Sequence, residues 1–245
     1  MTDTPPMNLW HLYPTISAPM PFQMALDEIL FRRLDLLPEL SNVGPSLRFY
    51  FSSEPWTTIG YSDPMKEQDE KLKICRRITG GGRVLHGKDI VFSISARKEH
   101  DESFASVRMS YLKIHEAVKL ALEEAGLKPR FYRCDENLGR GQECFLFPIA
   151  TDLEVEGRKI AGGAQKRSSG KLLHQESIQL ERRLEADPLI KRLSAAFEKV
   201  FKVKLVPEDL DPELMVQAAE LEDEKYSQKK GPEGDPALEL VLCDI

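Results

Sequence analysis

The chain has 245 residues, 41% hydrophobic and 30% charged, with a formal net charge of -6. That length fits one large domain, or a domain with a small appendage, and the composition is that of a globular protein. The acidic balance argues against nucleic-acid binding, which needs a basic face, and no stretch approaches the roughly 20 apolar residues that span a bilayer.

The opening residues, 1–20, are rich in proline and read as irregular, with Trp10 and Tyr13 as anchors onto the body. A helix is predicted from Pro21, with Phe22, Leu26, Ile29 and Leu30 on its apolar face, ending before Pro38. Leu47 to Ser52 alternates as a strand, with Leu47, Phe49 and Phe51 on one side. Pro55 interrupts it, and Trp56 to Tyr61 gives a second short strand closed by Gly60. Residues 62–72 are charged and expected to be partly helical.

Arg76 to Ser95 carries the densest pattern. Two arginines, Arg76 and Arg77, precede Gly80, Gly81 and Gly82, and Arg83 follows. Glycines let the backbone lie close to a ligand, so this turn suits an anionic or acyl-carrying molecule; it serves equally as a plain strand connection. Ile90, Phe92 and Ile94 then alternate as a half-buried strand. Ser103 to Ala125 is the clearest helix, with Tyr111, Ile114, Val118 and Leu122 on one face and Gly126 as its stop. Lys128 to Tyr132 begins a further strand.

Thr151 to Val155, Arg158 to Gln165 and Lys171 to Leu180 read as three strands joined by turns at Glu156-Gly157 and Ser168-Ser169-Gly170, an antiparallel meander. Helices are predicted from Pro188 through Phe197 and Phe201, and from Pro207 to Tyr226. The expected division is a catalytic domain over 1–226 and a polar C-terminal tail over 227–245, with Ser227 to Pro236 expected to be mobile. The fold class is α+β: a mixed, largely antiparallel sheet flanked by helices, packed on one side.

Four cysteines, Cys75, Cys134, Cys144 and Cys243, form no C-x-x-C pair, which disfavours a zinc ribbon or a thioredoxin-type site. Their spacing suggests no disulfide framework, and a reducing cytoplasm is the expected compartment. Met1 to Tyr13 lacks a basic segment followed by an apolar run, so no signal peptide is expected.

Four segments recur in a known order: Met24-Ala25-Leu26-Asp27-Glu28; Leu47-Arg48-Phe49-Tyr50 leading to Thr58-Ile59-Gly60-Tyr61; Arg76-Arg77 with Gly80-Gly81-Gly82; and Gly157-Arg158-Lys159-Ile160-Ala161-Gly162-Gly163-Ala164-Gln165. Over roughly residues 20–226 the chain resembles the lipoate–protein ligase and octanoyltransferase superfamily, which also holds the biotin–protein ligases. The resemblance implies a fold related to the catalytic domain of class II aminoacyl-tRNA synthetases. It implies that Lys159 contacts the acyl carbonyl, and that Arg77 with Gly80 to Gly82 lines the acyl pocket. Arg76, Arg83, His86, Gly162, Gly163, Ala164 and His174 join the candidate substrate-binding set.

The chemistry of Lys159 agrees with that role. Acyl transfer to an amine passes through an oxyanion, which a fixed ammonium stabilises. A strand lysine ordinarily faces solvent; here Ile160 to Ala164 are small or apolar and leave room for an acyl chain. Upstream, Cys144-Phe145-Leu146-Phe147-Pro148 resembles the Cys-Phe-x-x-Pro segment of the cysteine-dependent octanoyltransferases, which implies that Cys144 carries the acyl group as a thioester. A buried, inert thiol is the plainer role for a cysteine.

The implied reaction takes octanoyl (or lipoyl) from acyl carrier protein to the lysine of a lipoyl domain of 2-oxoacid dehydrogenases, or of the glycine cleavage H protein. It needs no cofactor and no metal, and a monomer without nucleic-acid or membrane partners is expected. The alternatives are an ATP-dependent lipoate ligase, which would use ATP and Mg, and a non-catalytic binder of lipoyl domains or acyl carrier protein. Two departures stand out: Gly87 follows His86 where the family often has Asp, and Glu176 places a carboxylate where the family often has Gly.

Overall fold

The computed structural model describes residues 8–35, 44–65, 72–132, 151–180 and 184–227. The domain division at residue 226 remains an expectation, and the stretch 227–245 falls outside the described residues beyond Ser227.

Alternation at Leu47, Phe49 and Phe51 makes β2 (Ser46–Ser52), and alternation at Ile90, Phe92 and Ile94 makes β6 (Asp89–Arg97), as the pattern predicts. They pair antiparallel, Phe49 opposite Phe92. The meander supplies β8 (Leu153–Val155), β9 (Arg158–Ser168) and β10 (Lys171–Gln179). Its two turns put Glu156 and Gly157, then Ser169 and Gly170, at positive φ, the two-residue geometry that matches strand twist. With β1 (Asn8–Ala18), β7 (Arg130–Phe131) and β11 (Val203–Pro207), the sheet has eight strands in the order β11-β1-β2-β6-β10-β9-β8-β7. A second sheet of three short strands, β3 (Trp56–Ile59), β4 (Ile74–Arg76) and β5 (Val84–His86), holds the glycine loop in the order β4-β3-β5.

The N-terminal segment is a strand, not irregular. Pro14 does not stop it because the register shifts between Tyr13 and Ile16, a bulge that absorbs the missing donor. Trp10 and Tyr13 are buried as expected. Val203–Pro207 is a strand that pairs in parallel with β1, and the helix predicted from Pro207 begins only at Pro212.

Helices cover both faces rather than one. On one side α2 (Val107–Glu124) and α3 (Ala186–Phe201) pack over a core that includes Trp10, Phe92, Phe104 and Phe197. Tyr111, Ile114, Val118 and Leu122 all face inward, and Gly126 closes α2 at φ 86°. On the other side lie α1 (Met20–Arg33) and α4 (Pro212–Leu221), the latter running into a π-helical turn over Glu222–Tyr226.

The predicted apolar face of α1 is only part of what it buries. Phe22 and Ile29 are half-buried, whereas Met20, Gln23, Met24, Asp27 and Phe31 are fully covered. The reason is Asp27. Its carboxylate accepts from Arg48 Nε at 3.1 Å, Tyr50 Oη at 2.8 Å, Ser93 Oγ at 2.5 Å and Gln175 Nε2 at 2.7 Å. A buried charge survives only when so supplied. Asp27 thereby ties α1 to β2, β6 and β10. Next to it, Glu28 accepts from Lys225 Nζ at 2.9 Å and from the Tyr226 hydroxyl, which docks the end of the described chain on α1.

Candidate active site

A cavity with about 360 Å³ of empty space, its mouth included, lies between the α1 face of the large sheet and the small sheet. That is in the range of small-ligand sites, roughly 300–1,000 Å³. Met20, Met24, Val84 and Val91 give it apolar walls. Arg77, His86, Thr58, Gln175, Glu176 and Ser177 give it polar corners. Gly162, Gly163 and Ala164 of β9 form one side.

Lys159 sits behind that side. Its Nζ pairs with Asp152 Oδ2 at 2.7 Å, and both side chains are nearly closed to solvent, at 3% and 2% exposure. A Cβ added to Gly162 would lie 2.4 Å from this Nζ. The ammonium therefore occupies the space that a side chain at Gly162 would take, directly behind a residue that lines the cavity.

The glycine loop separates its three arginines. Strand side chains alternate in direction, so Arg76 and Arg77 diverge. Arg76 donates to the carbonyls of Gly60, Tyr61 and Asp63 at 2.6–3.0 Å, and Arg83 donates to the Pro64 carbonyl at 2.9 Å. These two brace the turn after β3. Arg77 alone lines the cavity, donating to Thr58 Oγ1 and to the carbonyls of Gly80 and Gly82. Gly81 takes φ 80°, and its carbonyl lies where a Cβ on Gly60 would stand, so the loop packs flat on the turn. Thr79 Oγ1 donates to Gln175 Oε1 at 2.7 Å, linking the loop to Asp27.

His86 lines the cavity; His174 does not figure in its wall. His174 points to the α2 side, where it meets His115 and Glu176 in a buried cluster. Hydrogen bonding assigns the protons there. The Thr151 carbonyl can only accept, so His115 Nδ1 carries a proton. Gln165 Oε1 accepts from Arg167 Nε, which turns the Gln165 amide NH₂ toward His174 Nδ1 and leaves the His174 proton on Nε2, facing Glu176.

Burial pushes the Glu176 carboxyl up, but the charge of His115 and hydrogen bonds from both imidazoles outweigh it and bring it down to about 2. Burial pushes His115 down, yet the Glu176 carboxylate reverses this and leaves it raised; His174 stays lowered by burial. Two imidazoles and a carboxylate could ligate a cation in kind, with donor atoms within 4.8 Å of one another. As arranged, N–H protons fill the space between them, and the cluster is an imidazolium–carboxylate pair with a neutral histidine beside it. Glu176 is accommodated because its cross-strand neighbour is Gly163, where a Cβ would lie 2.2 Å from Oε2.

Cys144, with Cys134 and Cys243, lies outside the described residues. Cys75 is buried, and desolvation pushes its thiol well up, which leaves it unreactive. Asp152, Asp89 and His115 fall in none of the four segments, and Thr58 falls in one that assigns it no role. Asp152 could have been found from the hairpin, since it stands just before the strand that pairs with Lys159.

A family model, the lipoyl protein ligase A/B catalytic domain, matches residues 19–206. The chain belongs to this family. Among similar sequences, octanoyltransferase LipM of Bacillus anthracis is 30% identical, covering 85% of this chain and 92% of the relative. Octanoyltransferase LipM of Bacillus subtilis is 31% identical, covering 80% and 76%. Among solved structures, a lipoate-protein ligase A bound with ATP superposes with TM-score 0.72 at 20% identity, covering 91% of this chain and 97% of that one. A bi-partite lipoate protein ligase of Thermoplasma acidophilum, described with its E2 lipoyl domain, gives TM-score 0.68 at 20% identity, covering 91% and 95%. These neighbours place the α+β architecture among lipoate ligase folds. No helix among the described residues is long and apolar enough to cross a membrane.

Proposed function

We propose that the protein moves an octanoyl (or lipoyl) group from acyl carrier protein to the acceptor lysine of a lipoyl domain or glycine cleavage H protein, through a thioester on Cys144. The enzyme is an acyltransferase of lipoate metabolism, an octanoyltransferase like the LipM relatives. The observation that carries the site assignment is the buried ammonium of Lys159, held by Asp152 against Gly162, which lines an apolar-walled cavity. An acyl carbonyl placed at Gly162 would put its developing oxyanion beside that charge, and such a preorganised donor is worth roughly 3–4 kcal/mol of barrier. The apolar walls take the alkyl chain, and the reaction runs between a thioester and an amine without a cofactor. Thioester exchange with a cysteine is close to balanced in energy, which suits Cys144 as the carrier.

The test is intact-mass analysis after incubation with octanoyl carrier protein. An octanoyl adduct on the wild type and none on Cys144→Ser is expected; an adduct that persists in Cys144→Ser removes Cys144 from the reading. The ATP-dependent ligase reading is favoured instead if lipoate, ATP and Mg release pyrophosphate and lipoylate a lipoyl domain without any carrier protein. Cytoplasmic location and a monomeric state belong to the same proposal.

A further inference from the structure

A chain of hydrogen bonds runs inward from the cavity wall, separate from the Lys159–Asp152 pair. Thr58 Oγ1 is 2.8 Å from His86 Nε2, and His86 Nδ1 is 2.7 Å from Asp89 Oδ2. All three side chains are buried, and Thr58 and His86 line the cavity. Asp89 is fixed in turn by Ser177 Oγ at 2.6 Å and by the Gly87 amide at 3.1 Å. Ser177 stands opposite Gly162 in the β10–β9 register, so the Asp89 end of the chain is braced next to the glycine that packs on Lys159.

The direction of the chain follows from its donors. Burial pushes the Asp89 carboxyl up, but the bonds from His86, Ser177 and Gly87 outweigh it and keep it below the usual range, so Asp89 is an acceptor. His86 Nδ1 must then carry a proton, which leaves Nε2 with a lone pair in the neutral ring. Arg77 Nη1 donates to Thr58 Oγ1 at 3.2 Å. That contact takes one lone pair of the hydroxyl, and the single O–H of Thr58 goes to His86 Nε2. The other lone pair of Thr58 is left for a proton arriving from the cavity. The order donor, hydroxyl, imidazole, carboxylate is that of a general-base relay.

We infer that Thr58, His86 and Asp89 form the proton relay that deprotonates the attacking acceptor amine, with Thr58 as the catalytic residue at the cavity and Asp89 as the positioning residue behind it. The inference rests on the acyltransferase reading. Lys159 is committed to Asp152 as an ammonium, which suits it to hold the oxyanion and leaves the base to another group. In the step, the neutral lysine amine adds to the thioester carbonyl, a C–N bond forms, and the carbonyl π pair moves onto oxygen. The nitrogen gives one proton to Thr58 Oγ1 as Thr58 gives its own to His86 Nε2. The oxyanion then collapses, the C–S bond breaks with its pair on sulfur, and the proton held on His86 is released to balance the thiolate. Amide and thiol result, with no other reactant.

The test compares transfer of octanoyl from octanoyl carrier protein to a purified lipoyl domain, followed by intact mass. Thr58→Val is expected to lower kcat by roughly 10²-fold, the low end of general-base contributions, with KM for the lipoyl domain unchanged. Thr58→Ser restores the hydroxyl and is expected to recover to within a few-fold of the wild type. Asp89→Asn allows the imidazole to reverse its tautomer and is expected to fall as Thr58→Val does, an independent arm should the valine variant fold poorly. Wild-type kcat in Thr58→Val, or Thr58→Ser falling as far as Thr58→Val, overturns the relay while the wild type still turns over. A wild type that transfers nothing to the lipoyl domain overturns the acyltransferase reading, and the relay with it.

Discussion

Gly162→Ala is expected to slow acyl transfer by roughly 10²-fold to 10³-fold, the loss that follows removal of one oxyanion donor, while leaving the fold intact. The added Cβ would stand 2.2 Å from Lys159 Cε, 2.4 Å from Nζ and 2.9 Å from Asp152 Oδ1. These contacts are too short to persist, and each is the free end of a side chain rather than backbone. What yields is the lysine, not the strand. The ammonium is displaced from its place against Gly162 but keeps its carboxylate partner, so no buried charge is orphaned.

Lys159→Ala differs in kind. It leaves Asp152 buried without its ammonium, and removing one member of a buried pair costs about 3–5 kcal/mol. The alanine at 159 should therefore lose both rate and stability, and the alanine at 162 rate alone. Single-turnover transfer to a lipoyl domain, read beside a thermal unfolding curve for each variant, separates the two. Wild-type transfer by Gly162→Ala would mean that the exact seat of Nζ is immaterial, and would remove the oxyanion role from Lys159.

The sequence is legible where burial repeats at short range. Leu47, Phe49 and Phe51 alternate, Tyr111, Ile114, Val118 and Leu122 recur at helical spacing, and both meander turns carry a glycine. β1 and β11 escape such a reading because β1 pairs in parallel with β2 and with β11, across long separations in sequence, and each of the two holds a proline. The candidate site divides the same way. The glycine loop and the Lys159 hairpin are local patterns; the first sends Arg77 to the cavity, though not Gly80 to Gly82, and the second sends Gly162, Gly163 and Ala164.

The motif cannot tell Arg76 from Arg77, since both are cations in the same stretch. Only the strand geometry sends Arg76 to the carbonyls of residues 60, 61 and 63 and Arg77 to the cavity. Asp27 has no local sign of its role, because its four side-chain donors come from residues 48, 50, 93 and 175. His115 looks like one more inward position of α2 until Glu176 is found opposite.

Glu176→Gln should destabilise the protein most near pH 5–6, and less at both extremes. The folded carboxyl is held at about 2 against a usual 4.5, a difference worth roughly 3 kcal/mol at 1.36 kcal/mol per unit. Because the folded value is depressed, this stability is complete above the unfolded value and is lost as pH falls from about 4.5 toward 2. His115 is raised, so its share is complete below its unfolded value near 6.5 and fades as pH rises through its folded value. His174 is lowered and works in the opposite sense, costing stability as pH falls below 6.5.

The glutamine removes the anion from this set. His115 is then a buried imidazole without its counter-charge, and in mild acid it must either hold an unpaired charge or shed its proton. At pH values above the raised folded value of His115 the neutral ring is acceptable, so the variant should approach the wild type there. Near pH 2 the wild-type carboxyl itself is half neutral, and the gap closes again. For a chain of this size about 3 kcal/mol corresponds to roughly 6–12 °C in Tm. Melting curves of both proteins at intervals from pH 3 to pH 9 measure the gap directly. A difference that stays constant across that range would show that Glu176 acts by shape against Gly163 and not by its charge.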